Sequence, residues 1–192
     1  MLKDAFRASI ISADQFQILV PLIRTVDEVK NIVRASKFPP EGQRGFGSPF
    51  SMQNFDPIPT MTEYLQQANA SLLTMVQIET REALSVVDEI APLVDVLFVG
   101  PFDLGNNIGH PVIDGVIKPE LMDAIKKVVA AARKADKRAG IYCTSGEQAK
   151  FFADMGYHMI HVATDITALQ AVLADTLAVA KGEAKPKAAG SY

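Results

Sequence analysis

The apolar and polar positions along this chain follow two alternating spacings. Short runs rich in β-branched residues predict strands, and longer stretches with apolar residues three and four apart predict helices. The predicted strands are Gln17–Leu22, Leu72–Ile78, Val94–Gly100, Arg138–Cys143 and His158–Ala163. The predicted helices are Thr25–Ser36, Thr60–Asn69, Arg81–Ala91, Pro119–Asp136, Ser145–Met155 and Thr167–Lys181. This alternation is typical of an α/β protein with a parallel sheet.

Two of the predicted helices begin with a capping signal. Thr25 and Ser145 stand where an N-cap residue belongs, and Glu28 and Gln148 follow three positions later as capping-box partners. Such a pair satisfies backbone amides that a helix leaves without partners at its start.

One long segment breaks the pattern. Lys37–Pro59 holds five of the eleven prolines and the glycine-rich run Gly42–Ser48. An irregular segment of this length inside a compact domain is usually functional. The final residues, Gly182–Tyr192, lack periodicity and predict a disordered tail that follows a single domain at residues 1–181.

Composition narrows the class of protein. The chain has 192 residues, 48% of them hydrophobic, which is enough for one core. A net charge of -3 without a basic face disfavours nucleic acid as a partner and favours a small molecule. Cys143 is the only cysteine, which excludes an intrachain disulfide and indicates a reducing compartment. No apolar run reaches the roughly 20 residues of a membrane span, so we expect a soluble cytoplasmic protein with no membrane partner.

Two carboxylates each follow a predicted buried strand. Glu79 comes directly after Ile78, and Asp103, 24 positions later, follows the run Val94–Phe102. That separation fits one strand-helix-strand unit, so both side chains are expected at the same edge of neighbouring parallel strands. Adjacent strands lie about 5 Å apart, which lets one hard cation, Mg²⁺ or Mn²⁺, reach both carboxylates. Gln77 lies two positions before Glu79 and on the same side of the strand.

These residues also have a plainer interpretation. An acidic residue at the start of a helix meets the positive end of the helix dipole, which alone would explain either Glu79 or Asp103. Their matched placement on consecutive strands favours the metal site. Imine chemistry is disfavoured because none of the five predicted strands carries a lysine.

The other reactive side chains are weaker candidates. His158 and His161 lie three apart at the last strand and therefore on opposite faces, so we interpret them as satisfied structural histidines. His110 is interpreted as a surface-loop residue, and Cys143 as a buried, inert thiol.

A possible anion site follows the fourth predicted strand. Thr144, Ser145 and Gly146 open a helix there, and backbone amides at a helix start would hold a phosphate or a carboxylate. Asp165, after the last strand, would repel a phosphate. A substrate that carries a carboxylate is therefore favoured over a phosphorylated one.

Four segments, in order along the chain, resemble the HpcH/HpaI aldolase and citrate lyase family. They are Ile18–Leu22, Phe38–Ser48, Val76–Thr80 and Val99–Leu104. The resemblance extends from about residue 17 to about residue 180. It implies a (β/α)₈ TIM-barrel fold and a homo-oligomeric, metal-dependent (class II) carbon–carbon lyase. Such an enzyme acts on pyruvate, oxaloacetate or a related 2-oxo acid through its enolate, with an aldehyde as the second substrate.

The resemblance also implies roles for particular residues. Glu79 and Asp103 correspond to the two carboxylate ligands of Mg²⁺ or Mn²⁺, and Gln77 to a polar residue beside the keto acid. The loops whose amides would receive the substrate carboxylate contain Gly47, Ser48, Gly100, Pro101 and Phe102.

The chain departs from the family pattern at its start. Its first predicted strand corresponds to the fourth of the family, which implies a partial barrel of about five parallel strands with two open edges. The family's catalytic histidine and its enolate-stabilising arginine lie in the portion without a match, so no catalytic residue is assigned. An active aldolase domain is the leading hypothesis. The alternatives are a truncated, inactive member that only binds metal and keto acid or forms oligomers, and a phosphate-binding barrel enzyme.

Overall fold

A single parallel sheet organises the structure. The computed structural model describes residues 17–47, 51–54 and 57–183. Its five strands lie in the sheet in their order along the chain, and they are β1 (Gln17–Val20), β2 (Leu73–Ile78), β3 (Val96–Val99), β4 (Arg138–Tyr142) and β5 (Met159–His161). All four neighbouring pairs are parallel. The sheet curls into half a barrel, which confirms the predicted partial TIM-barrel architecture.

Helices follow the strands and cover one face of the sheet. Those described are α1 (Val26–Ser36), α2 (Met61–Ser71), α3 (Arg81–Ser85), α4 (Val87–Ile90), α5 (Pro101–Ile108), α6 (Pro119–Lys134), α7 (Gly146–Met155) and α8 (Asp165–Ala180). Two 3₁₀ turns lie at Ser51–Asn54 and Ala91–Leu93.

The core lies between the sheet and these helices. Alternate strand residues point to it, and those that are completely enclosed are Val76, Ile78, Leu97, Val99 and Ile141. They pack in one cluster with side chains of α1, α4 and α6. Burying a side chain of this size contributes about 1.5–3 kcal/mol, so this cluster supplies most of the apolar stabilisation of the fold.

The opposite face of the sheet, here called the site face, carries the remaining strand residues. Gln77, Phe98 and Gly140 pair across three strands on this face. A Cβ at position 140 would lie 2.5 Å from the Phe98 ring, so only glycine lets that ring lie across β4. Side chains on this face line the interior of the half-barrel.

Two predicted elements differ from the structure. The predicted helix Arg81–Ala91 is divided into α3 and α4, because the amide of Val86 bonds to the carbonyl of Ala83 and closes a tight turn. Helix α5 was not predicted, although proline at its first position and a left-handed Gly109 after its end are its sequence signals.

The capping predictions were partly right. Thr25 and Glu28 form the complete capping box of α1. Ser145 accepts from the amide of Gln148, as predicted. The Gln148 side chain, however, accepts from the amide and hydroxyl of Thr144 instead of the amide of Ser145.

The irregular segment after α1 is anchored on α2. Phe38 and Tyr64 pack edge to face at 5.8 Å in a second small apolar cluster. The side-chain amide of Asn69 bonds both the amide and the carbonyl of Phe38, at 2.7 and 2.9 Å. The guanidinium of Arg44 lies 4.4 Å from the centre of the Phe38 ring. These contacts hold this part of the segment in one conformation.

Helix α8 presents its large apolar side chains outward. The exposed residues on it are Ile166, Leu169, Val172, Leu173, Leu177 and Val179. Ala178 is the only residue of α8 that is buried. Among the described residues, no helix is long and apolar enough to cross a membrane. The predicted tail lies outside the described residues from position 184 onward.

The contrast between core and α8 gives a stability prediction. Leu97→Ala should lower the free energy of unfolding by about 2–5 kcal/mol, because it leaves a cavity in the closed core. Leu173→Ala should change it by less than about 0.5 kcal/mol, because that side chain is already 59% exposed. Urea denaturation of the two variants at low protein concentration measures both values. Equal losses would contradict this assignment of the core.

Candidate metal and substrate site

Glu79 lies directly after β2, at the carboxyl edge of the sheet, and its side chain is buried. Its Oε1 accepts a hydrogen bond of 2.7 Å from the amide of Leu22, just past β1. Leu22 has a left-handed backbone, with φ of +56°, which is uncommon for a residue with a side chain. This turn brings the amide of Leu22 to the carboxylate and fixes the direction in which Glu79 points.

The second oxygen of Glu79 faces Gly100, which follows β3. A Cβ at position 100 would lie 2.6 Å from Oε2. Glycine is therefore required at this position for the carboxylate to keep its place. No donor among the described residues hydrogen-bonds Oε2, so this oxygen is left for a ligand.

Asp103 lies in the first turn of α5, the helix that begins at Pro101 directly after Gly100. Its side chain is exposed, and its position near the helix start places it in the positive field of the helix dipole. Asp103 is not the N-cap of α5, which is Gly100, but its place in the first turn agrees with the helix-dipole interpretation.

The two carboxylates influence each other electrostatically. Burial is the main cause that raises the pKa of Glu79, and the negative charge of Asp103 raises it further, while the amide of Leu22 opposes this rise. A like charge acts in this way only when it is near, since its effect falls with distance and with solvent screening. A cation placed between them would remove the repulsion and favour both ionised forms.

The donor set suits a hard cation. Oxygen ligands from one or two carboxylates, completed by water and substrate, are how Mg²⁺ is usually bound in proteins. Within the part of the chain that the structure describes, no group of three or more His, Cys, Asp and Glu side chains is arranged to hold a metal ion. Glu79 and Asp103 alone would leave most coordination positions for water and a chelating ligand.

The start of α5 has no side-chain cap, and the same is true of α4 and α6. A threonine or serine side chain accepts from a first-turn amide at α1, α2, α3, α7 and α8. At α5 the N-cap is Gly100, and the amides of Phe102 and Asp103 have no intrahelical acceptor. These amides are available to an anionic group of a ligand beside Asp103.

The other residues predicted for the site differ in their location and exposure. Gln77 is partly buried and lies on the site face, on the same side of β2 as Glu79. Gly47 is exposed in the segment after Phe46, whose ring lies 6.3 Å from that of Tyr64. Ser48 lies outside the described residues.

Sequence reasoning missed the residue that joins the ends of β1 and β2. The Thr80 hydroxyl is fully buried, donates to the carbonyl of Ile23 at 2.8 Å and accepts from the amide of Ala83 at 3.1 Å. It therefore caps α3 and also holds the turn that carries Leu22. A threonine directly before a predicted helix is a signal that could have indicated this cap, but the bond to Ile23, beyond the end of β1, could not be predicted from spacing.

A second missed contact joins the segments that carry the two carboxylates. The side-chain carbonyl of Asn107, on α5, accepts from the amide of Arg81 at 2.7 Å. This bond docks α5 against the start of α3. It limits how far Asp103 moves relative to Glu79.

The histidine predictions were right for two residues and wrong for one. His110 lies 3.6 Å from Glu120 in a loop. The His158 ring accepts from the amide of Ala139, as expected of a structural histidine. His161 differs, because its Nδ1 is buried and has no hydrogen-bond partner among the described residues. Burial raises the pKa of the Cys143 thiol to about 11, which agrees with an inert side chain.

This geometry is accompanied by a clear family relationship. The sequence model of the HpcH/HpaI aldolase/citrate lyase family matches residues 2–171. The chain belongs to this family.

Curated relatives are similar over part of their length. A 4-hydroxy-2-oxo-heptane-1,7-dioate aldolase of Shigella sonnei is 36% identical over 155 residues, which are 79% of this chain and 57% of the relative. The corresponding aldolase of Klebsiella pneumoniae is 35% identical over the same number of residues. The chain spans little more than half the length of these relatives.

Solved structures share the fold. The HpcH/HpaI aldolase of Desulfitobacterium hafniense superposes with a TM-score of 0.78 at 26% identity, covering 91% of this chain and 68% of that one. A family member from Burkholderia cenocepacia gives 0.74 at 30% identity over 94% and 68%. Macrophomate synthase gives 0.73 at 26% identity over 86% and 58%.

The position of Thr80 yields a prediction. Thr80→Val keeps the shape of the side chain but leaves the carbonyl of Ile23 and the amide of Ala83 without this partner. The free energy of unfolding should fall by about 1–3 kcal/mol. Thr176→Val is the matched control, because that hydroxyl bonds an exposed helix carbonyl and its loss should change stability by less than about 0.5 kcal/mol. A loss at Thr80 no larger than at Thr176 would contradict the role given to the buried hydroxyl.

Proposed function

We propose that this chain is a divalent-metal-dependent aldolase domain that acts on a 2-oxo acid of the pyruvate or oxaloacetate kind. The reaction would make or break the carbon–carbon bond next to the keto group, with an aldehyde as the second substrate. The curated relatives are named as aldolases of 4-hydroxy-2-oxo-heptane-1,7-dioate, and this diacid is itself a 2-oxo acid. Membership of the family makes this the first function to test.

One observation carries the proposal. The buried carboxylate of Glu79 has one oxygen fixed by Leu22 and one aimed past Gly100, and the charge of Asp103 acts on it. Burial and the charge of Asp103 both disfavour the ionised form of Glu79, and a cation bound at this edge of the sheet would favour it. This edge is also where enzymes of barrel architecture place their ligands.

Each residue of the proposed site has a defined task. Glu79 and Asp103 would hold Mg²⁺ or Mn²⁺, which supplies a Lewis acid that polarises the keto oxygen of the substrate. The uncapped amides of α5 would receive the substrate carboxylate, with Gly100 and Pro101 shaping that turn. Gln77 would contact the keto acid from the site face. We propose Gly47 and Ser48 for the same carboxylate on the strength of the family resemblance.

The second candidate is a domain that binds metal and keto acid without turning the substrate over. It is favoured by one observation: none of the three histidines of the chain is placed beside Glu79 by a described contact. Proton transfer by a positioned group typically contributes 10²- to 10⁴-fold in rate, so its absence would leave binding with little catalysis.

Exchange of the methyl protons of pyruvate for deuterium separates these functions. With Mg²⁺ or Mn²⁺ added, mass spectrometry should detect deuterated pyruvate, and a chelator should stop the exchange. Glu79→Gln and Asp103→Asn should each reduce the exchange rate about 100-fold or more, because each removes one ligand charge. Glu89→Gln, an exposed acidic residue on α4, should leave the rate unchanged.

If no exchange is detected, the binding of Mn²⁺, followed by electron paramagnetic resonance, tests the second candidate. Binding that is lost in both variants would favour the second candidate. Binding that is unaffected by either substitution would contradict the proposed site.

We also propose that the protein assembles as a homo-oligomer. The support is the outward apolar surface of α8, where Leu169, Leu173 and Leu177 are each more than half exposed. Contiguous exposed apolar patches of this kind usually mark an interface.

Charge placed on this surface tests assembly. Leu173→Asp should lower the mass measured by sedimentation equilibrium, because the aspartate charge would be buried in the contact between subunits and would disfavour assembly. Gln170→Asp adds the same charge at a polar position of the same helix and should leave the mass unchanged. A wild-type protein that sediments at 20.8 kDa would contradict assembly.

A further inference from the structure

A row of residues continues the candidate site across the sheet. Ile78 pairs with Val99 and Val99 with Ile141, so the residues that follow them, Glu79, Gly100 and Tyr142, occupy one row at the carboxyl edge. Tyr142 in turn pairs with His161 on β5. The row therefore extends from the proposed metal ligand to the last strand, with steps of about 4.8 Å between strands.

The far half of this row is a continuous aromatic wall. The rings of Tyr142 and His161 are stacked, with centroids 4.5 Å apart and planes 14° from parallel. The ring of Phe102, directly before Asp103, meets Tyr142 edge to face at 6.2 Å. All three side chains are only partly buried, whereas aromatic rings that serve packing alone, such as Phe152 and Tyr157, are enclosed.

His161 shows that this wall is more than a packing contact. Its Nδ1 is buried without a partner, which is rare for a polar atom in a folded protein and calls for an explanation. Its Nε2 also has no hydrogen bond among the described residues and is not enclosed. The ring stacks on Tyr142 without a hydrogen bond among the described residues, and one nitrogen remains available to a ligand.

The charges around the wall select among ligands. Residues 143–147 and 162–167, which follow β4 and β5 and include the first residues of α7 and α8, contain Glu147 and Asp165 but no lysine or arginine. Lys150, the next cation along α7, is paired with Asp154. An anionic group at the wall would therefore meet like charge without a partner, while a neutral ring would stack on Tyr142 and His161.

We propose that Phe102, Tyr142 and His161 form the subsite for the second substrate and that it takes a neutral aromatic aldehyde. This inference rests on the proposed function, because Phe102 directly precedes Asp103 and Tyr142 shares a row with Glu79, and these two carboxylates are the proposed metal ligands. The substrate named for the curated relatives would give a charged aldehyde instead. Cleavage of 4-hydroxy-2-oxo-heptane-1,7-dioate next to its keto side gives succinic semialdehyde, which carries a carboxylate.

Binding of unreactive alcohols tests the subsite without requiring turnover. Benzyl alcohol and 4-hydroxybutyrate resemble benzaldehyde and succinic semialdehyde but form no imine with lysine. Saturation-transfer NMR on the full chain, with Mg²⁺ and pyruvate present, should show benzyl alcohol bound at least tenfold more tightly. Tyr142→Leu should reduce this preference about tenfold. Phe151→Leu, an exposed ring on α7 outside the wall, should leave it unchanged.

A second variant tests the hydrogen bond of the histidine nitrogen separately from the stacking of the ring. His161→Phe keeps a ring beside Tyr142, so the affinity for benzyl alcohol should hold. Affinity for 4-hydroxybenzyl alcohol should fall about fivefold, because the hydrogen bond to Nε2 is lost.

Three results would overturn the subsite. They are equal or tighter binding of 4-hydroxybutyrate, no change of preference in Tyr142→Leu, and an affinity for 4-hydroxybenzyl alcohol that His161→Phe leaves unchanged. The proposed function fails separately: if pyruvate exchange is absent while the aromatic preference follows these predictions, the subsite stands and the aldolase assignment does not.

Discussion

A buried carboxylate that feels the charge of a second carboxylate is the constraint on which the rest of the candidate site depends. Parallel strands end at a common edge, so Glu79 after β2 and Asp103, which follows β3 in the first turn of α5, lie at the same edge of the sheet. Enclosing Glu79 disfavours its charged form, and the charge of Asp103 disfavours it further. A cation is the simplest group that turns this unfavourable pair into a stable one.

The surrounding contacts hold the pair in place. The amide of Leu22 orients Glu79, and Thr80 secures the turn from which that amide comes. Gly100 leaves the space that the carboxylate occupies, and Asn107 docks the helix that carries Asp103. Segments that follow three strands thus contribute to the position of one carboxylate. The backbone and side-chain hydrogen bonds between these segments make this edge of the sheet rigid.

The sequence pattern predicted much of this architecture and less of its detail. Periodicity located all five strands because buried parallel strands are continuous apolar runs, and it predicted the placement of Glu79 from strand ends alone. It missed α5, whose eight residues are too few for a clear period. It also missed the partners of Thr80 and the unpaired ring of His161, because contacts between distant segments leave no local signal.

The most direct test of the account is the position of a bound cation. Crystals of the full chain grown with Mn²⁺ should show an anomalous difference peak between Glu79 and Asp103, about 2–2.3 Å from one oxygen of each. A peak beside only one of them, or carboxyl groups directed apart with no ion between them, would contradict it.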